Sequence, residues 1–122
     1  MPERAVPPED ISPHDFFTRW VPATVAQDED RRRRLGETQA SLVFVLAEGE
    51  GETTCYTLDV ADGVVSGRAG RVETPDLEIH VDVPTWRALN RGEISAPEAL
   101  LRRRVRISGN LVLALKLHLI LG

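Results

Sequence analysis

Residues 74–117 read TPDLEIHVDVPTWRALNRGEISAPEALLRRRVRISGNLVLALKL, and the order of elements inside this stretch decides the fold class. DLEIHVDV alternates as a half-buried strand must. Leu77, Ile79, Val81 and Val83 share one face, and Glu78, His80 and Asp82 share the other. Pro84 stops the strand. VPTWRALNRGE then reads as a short helix with Trp86 and Leu89 on one side and Gly92 after its end. SAPEALLR reads as a second short helix, with Ser95 as its cap and Pro97 in its first turn. RVRISGN returns to strand, with Val105 and Ile107 inward. The last helix follows directly and is apolar on nearly every side: from Leu111 to Leu121 only Lys116 and His118 are polar.

The upstream sequence supplies the rest of a sheet. SLVFVLAEG puts Leu42, Phe44 and Leu46 on one face and Val43 and Val45 on the other. The glycines of EGEGE turn the chain, and TCYTLDV places Tyr56, Leu58 and Val60 together. ADG at 61–63 signals a tight hairpin. VVSGRAG, interrupted by Gly67 and Gly70, is a weaker strand. Before the sheet, ISPHDFFTRWVPATVAQ reads as a helix capped by Ser12, with Pro13 and Asp15 in its first turn and Phe16, Phe17 and Trp20 as its apolar face. Pro22 kinks or ends it. The expected order is helix, four strands in hairpin-like succession, two short helices, strand, helix. That is an α+β domain on a mostly antiparallel sheet. Residues 1–11, with mixed charges and three of the eight prolines, are expected to form a flexible tail, and residues 12–122 the domain.

Composition narrows the function. A chain of 122 residues suits one domain, and 42% apolar with 28% charged residues is a folded balance. A net charge of −4 argues against a general nucleic-acid binder. Arg31–Arg34 sit beside Asp28, Glu29 and Asp30, which reads as a solvated connection rather than a basic patch. Cys55 is the single cysteine, which excludes an intrachain disulfide and a cysteine metal cluster. The N-terminus has no apolar signal core, and no apolar run approaches the ~18 residues of a membrane span. The expected setting is cytoplasmic, without stable membrane insertion.

Little in the sequence points to catalysis. Glu78, His80 and Asp82 project from one strand face at a spacing of two and could converge on a metal or share protons, but a solvated outer face explains them better, because nothing else supplies a metal ligand. Cys55 with His80 as nucleophile and base has no local support, and a lone cysteine is usually a small buried hydrophobe. His14 and His118 lie near opposite ends of the chain. No phosphate-binding, dinucleotide, zinc-protease or hydrolase motif is present. The expectation is a protein with no catalytic residue, no metal and no cofactor.

What stands out is apolar excess on the helices. A helix that is apolar all round must be covered on more than one side: by sheet, and then by another helix, a partner chain or an apolar ligand. Here the sequence resembles the sterol carrier protein type 2 family from about Ser12 to Leu121. SPHDFFTRW stands where that family has its first helix, and LVFVLAEGEGETTCYTLDVADG where it has its first hairpin. The most specific part is 74–117: Pro75-Asp76 before a strand, Trp86 and Gly92 in a short helix, Gly109-Asn110 closing a strand, and Leu113-Ala114-Leu115-Lys116-Leu117 in a leucine-rich helix. The chain is similar to a stand-alone member of bacterial type. It departs from the pattern in ending directly after the last helix, where a longer lid would follow, and in carrying RRRRLGETQ before the first strand.

The resemblance implies a five-stranded sheet covered by helices with an apolar tunnel between them. It implies non-catalytic carriage of a fatty acid, acyl-CoA or sterol-like ligand. Phe17, Trp20, Phe44, Trp86, Leu89, Leu100, Leu101, Leu111, Leu115 and Leu119 are the expected lining, with Arg87 and Arg91 as candidates at the mouth. The alternative is an interaction module, whose apolar surface is buried by a second copy or a partner enzyme.

Overall fold

The structure, a computed structural model, describes residues 6–121, with side chains described for residues 6–116. Helix α1 (Pro13–Asp15), a π-helical turn (Phe16–Trp20) and α2 (Val21–Ala26) follow one another without a break, and α3 (Glu29–Leu35) comes next. Strands β1 (Ala40–Ala47), β2 (Thr53–Ala61), β3 (Val64–Ala69) and β4 (Leu77–Asp82) lead to α4 (Val83–Arg91) and α5 (Ala96–Leu101). Strand β5 (Val105–Gly109) and helix α6 (Leu111–Leu121) end the fold. The five strands form one sheet in the order β3-β2-β1-β4-β5.

The expected α+β class and mostly antiparallel sheet are present, with β1–β4 as the one parallel pairing. Hairpin-like succession holds for β1–β2–β3 and stops there. Residues 70–76 carry the chain back from the β3 edge, so that β4 pairs with the free side of β1. They lie on the face that carries Thr57 and Glu78. The Gly70 N–H donates to the Cys55 carbonyl at 2.8 Å, and the Thr57 hydroxyl to the Gly70 carbonyl at 2.9 Å. This explains why β1 is apolar on both faces: it is the central strand, and Val43 on its far side has no exposure at all.

The first helical segment widens for a local reason. Proline at 22 has no N–H, and its ring would collide with the carbonyl four residues back in an α-helix. The segment relaxes into the π spacing, in which the Val21 N–H reaches the Phe16 carbonyl. That turn sets Phe16 stacked on Trp20, ring centroids 5.3 Å apart, and buries Phe17 against Tyr56 and Phe44.

The run 27–39 is more than a solvated connection, because it contains α3. Asp28 caps that helix by accepting the Arg31 N–H, acids occupy its first turn and arginines its last, and Leu35 is fully buried. Of the expected tail, residues 6–11 lie within the described part. Pro7 is buried, Ile11 packs on the core, and the Ile11 carbonyl accepts from Arg87 Nη1 at 3.1 Å.

Asp76 ties three elements together. Its carboxylate accepts the Ser41 N–H at 2.8 Å, its own N–H reaches the Ser41 carbonyl, and its carbonyl accepts the Asn110 N–H at 3.1 Å. Asn110 in turn caps α6 through the Leu113 N–H. Gly109 presses so close to Asp76 that a Cβ there would stand 2.4 Å from its carbonyl oxygen.

Candidate functional site

Register decides which side chains share the helix-covered face. One row crosses the whole sheet: Ala69, Tyr56, Phe44, Ile79 and Ile107. On one side of it runs Leu58, Leu42 and Leu77; on the other, Leu46, Val81 and Val105. Both flanking rows are buried. In the middle row Tyr56 is buried, but Phe44, Ile79 and Ile107 are half-covered. A sheet centre is normally its most buried part, so the middle of β1, β4 and β5 is less covered here than the rows on either side of it. Phe16, Trp20, Leu89 and Leu113 are likewise half-covered apolar side chains packed on the core. Burial, with a smaller push from Glu48, raises the Tyr56 hydroxyl above its ordinary value, so this row carries no charge at neutral pH.

The expected lining separates into two groups. Phe17 and Trp86 are core residues, and Trp20, Phe44 and Leu89 border them half-covered. Leu101, Leu111 and Leu115 stand exposed at 85%, 64% and 61%, and Leu100 is also exposed. The side chain of Leu119 lies outside the described residues, as does that of His118. In α6, Leu113 and Ala114 turn to the core while Leu111, Val112 and Leu115 face outward. Ile79 and Ile107, absent from the expected lining, lie on the half-covered row, and Leu113, also absent from it, is a half-covered side chain packed on the core. The inward alternation of β4 and β5 carried that signal for the two isoleucines.

The polar candidates are occupied elsewhere. His80 Nε2 lies 2.5 Å from Glu78 Oε2, and Arg71 Nη2 lies 2.6 Å from Glu78 Oε1. Hydrogen bonds from His80 and then Arg71 hold the Glu78 carboxyl below its ordinary value. Asp82 is committed to the α4 N-terminus, accepting the Thr85 N–H at 2.7 Å. Cys55 and His80 oppose the same residue, Val45, from either side, so two strand spacings of ~4.8 Å each separate them. Among the described residues, no three His, Cys, Asp or Glu side chains are grouped to hold a metal. Arg87 lies over the Trp86 ring, 5.2 Å from its centroid, and Arg91 lies 3.7 Å from Glu9.

The model of the SCP-2 sterol transfer family matches residues 21–122. This chain belongs to that family. Solved structures of SCP-2 proteins share its fold. Palmitated SCP2L2 from Aedes aegypti superposes with TM-score 0.68 at 16% identity, over 84% of this chain and 88% of that one. Sterol carrier protein 2 from Yarrowia lipolytica, in its apo form, gives 0.66 at 19% identity, over 84% and 82%. The sec-alkylsulfatase Pisa1 from Pseudomonas gives 0.69 at 20% identity, covering 92% of this chain but 16% of that far longer one, so the SCP-2 fold also occurs as one part of a larger chain. A search among curated proteins found no match. Among the described residues, no helix of this SCP-2 chain is long and apolar enough to cross a membrane.

Proposed function

We propose that this SCP-2 domain carries a lipid without catalysis, holding the apolar part of a fatty acid, acyl-CoA or sterol-like molecule between sheet and helices. The observation that carries this reading is the half-covered middle row Phe44, Ile79 and Ile107 between two buried rows. Covering such a row with hydrocarbon is favourable at ~25 cal/mol per Å² removed from water. A chain of a dozen methylenes, at ~0.8 kcal/mol each, has enough to offset the costs of docking and ordering. Membership in a sterol transfer family and the palmitated relative support the same ligand class. The deciding experiment is mass spectrometry of the purified protein, native and then after organic extraction. A stoichiometric acyl lipid or sterol released on denaturation is the expected result. No extractable lipid and no uptake of a fluorescent fatty acid would sink the proposal.

A second reading, an interaction module, is favoured by the outward leucines of α6. Leu111, Val112 and Leu115 are the kind of apolar surface that a second copy or a partner enzyme would cover.

A further inference from the structure

Exposed apolar side chains are unevenly placed in this domain. Among the described residues, all of the large ones except Val6 and Val64 fall between Leu100 and Leu115. Charge divides along the same line. Residues 99–122 hold five of the 15 basic residues and none of the 19 acidic ones, so they carry +5 while residues 1–98 carry −9. The two features meet at the corner between α5 and β5. Leu100 and Leu101 end α5, Leu101 at 85% exposure, and Arg102, Arg103 and Arg104 follow before β5 begins.

This corner is firmly built. The Arg103 N–H reaches the Leu100 carbonyl at 3.1 Å and the Arg104 N–H the Ala99 carbonyl at 2.9 Å, a helix ending that usually has glycine where Arg103 stands. Arg103 accordingly has φ +59, a left-handed conformation that favours glycine. Ala99 is fully buried, and Arg104 Nε donates to the hydroxyl of the buried Thr85 at 3.1 Å. Arg102 pairs with Glu98, the last acid of the chain, whereas Arg103 has no ion pair among the described residues. The half-covered row reaches the sheet edge close by, because its last member, Ile107, lies on the strand that leaves the corner.

We propose that the α5–β5 corner docks on an anionic lipid bilayer, so that the half-covered row loads from the membrane. Leu100 and Leu101 enter the acyl boundary, and Arg102 and Arg103 meet the phosphates. This rests on the lipid-carrier reading and adds to it the surface at which cargo enters. Leucines beside cations fit an interface where hydrocarbon lies directly beneath negative headgroups. A two-fold contact with a second copy would instead set the arginines of the two corners against one another.

The test is flotation of the intact protein with vesicles of phosphatidylcholine alone or with about one-third phosphatidylglycerol added. Uptake of palmitic acid from cyclodextrin is measured alongside, with no vesicles present. Wild type is expected to float with the anionic vesicles only, and to be released as salt rises to about 0.5 M. R103G removes the charge where glycine relieves the backbone, so it keeps the fold. It should bind the anionic vesicles about fivefold more weakly, L101S about tenfold more weakly, and R103K as wild type does. All three should take up palmitate in solution normally, since neither position lies on the half-covered row. Flotation that R103G and L101S leave unchanged, or that is equal on neutral vesicles, overturns the inference. So does a wild type that takes up palmitate yet floats with neither vesicle, and the carrier reading then stands without this face. Flotation without palmitate uptake in solution removes the carrier reading, and the loading role falls with it. A dimer that never floats and that L101S reduces to monomer assigns the corner to a second copy and likewise overturns the inference.

Discussion

The Phe17 carbonyl faces the α-carbon of Gly67 so closely that a methyl group on that carbon would lie 1.8 Å from the oxygen. Two sequence features meet there. Pro22 imposes the π turn and brings no N–H to the Phe17 carbonyl at π spacing, and Gly67 opens β3 enough for that backbone to approach. The contact sets the helical segment at the height that buries Phe17 between Tyr56 and Phe44. Gly67→Ala should therefore destabilise the fold by at least ~2 kcal/mol, measured by urea unfolding, because the atom it meets is backbone and cannot rotate away. A stability unchanged within ~0.5 kcal/mol would mean that the helix does not rest on β3 as described.

Asp76 and Gly109 form a second junction of this kind, holding β1, β4 and the start of α6 together. Asp76→Ala removes the acceptor for the Ser41 N–H and should cost about 1 kcal/mol, modest because the bond is solvent-accessible. Gly109→Ala should cost more, since its Cβ would stand 2.4 Å from the Asp76 carbonyl. If the alanine at 76 proves the more damaging of the two, the backbone approach is not what sets this corner.

The reach of sequence reasoning followed from how local each signal is. Strands β4 and β5 and helices α4 and α5 were legible because alternation, Ser95, Gly92 and the prolines act within a few residues; the Asp82 cap of α4 was not read, because Asp82 was counted as an outward strand residue. Strand β1 also carried its own answer: Val43 and Val45 are apolar on the face opposite Leu42 and Phe44, which marks a central strand. The crossover at 70–76 was missed because the β1–β4 pairing is not a neighbouring one in the chain. Helix α3 was missed because its charges were read as a solvated connection rather than as a capped helix ending on Leu35. At the site, leucine identity could not say which leucines of α5 and α6 turn inward; tertiary packing decides that. The half-covered row was hidden in plain alternation, because partial burial is a property of five strands in register and not of any one.

The Glu78 carboxyl gives the fold a defined response to acid. Its bonds to His80 and Arg71 lower it from the ordinary value of 4.5, so the folded state holds the charged form more tightly than the unfolded chain does. A lowered carboxylate contributes stability that is present above the unfolded value and is lost as pH falls through the folded one. Glu78→Gln should therefore lower the melting temperature at pH 7, and the gap from wild type should close as pH drops below about 4.5. A gap that persists undiminished at pH 3 would show that the charge of Glu78 is not the source.

A larger side chain on the half-covered row separates a carrier from a solid core. Ile107 is half-covered on the middle row, so Ile107→Phe has room if a lipid normally occupies the space above it. The expected outcome is a stability change below ~1 kcal/mol with fatty-acid uptake reduced at least about tenfold. In a close-packed core the same substitution would cost ~1–3 kcal/mol. Uptake that survives the phenylalanine would move the binding site away from this row.

The outward side of α6 tests what else the domain does. Leu111 and Leu115 are exposed, whereas Leu113 and Ala114 pack on the core, so the two sides of the helix can be altered independently. A Leu111→Glu, Leu115→Glu double variant should leave the fold within ~0.5 kcal/mol of wild type, because neither leucine is buried in the single chain. If the domain acts as a carrier by itself, sedimentation should give one mass for both proteins and fatty-acid uptake should be unchanged. A wild-type dimer that falls to monomer in the variant would assign this side of α6 to self-association. A loss of uptake with the mass unchanged would instead place these leucines against the ligand and extend the site around the helix.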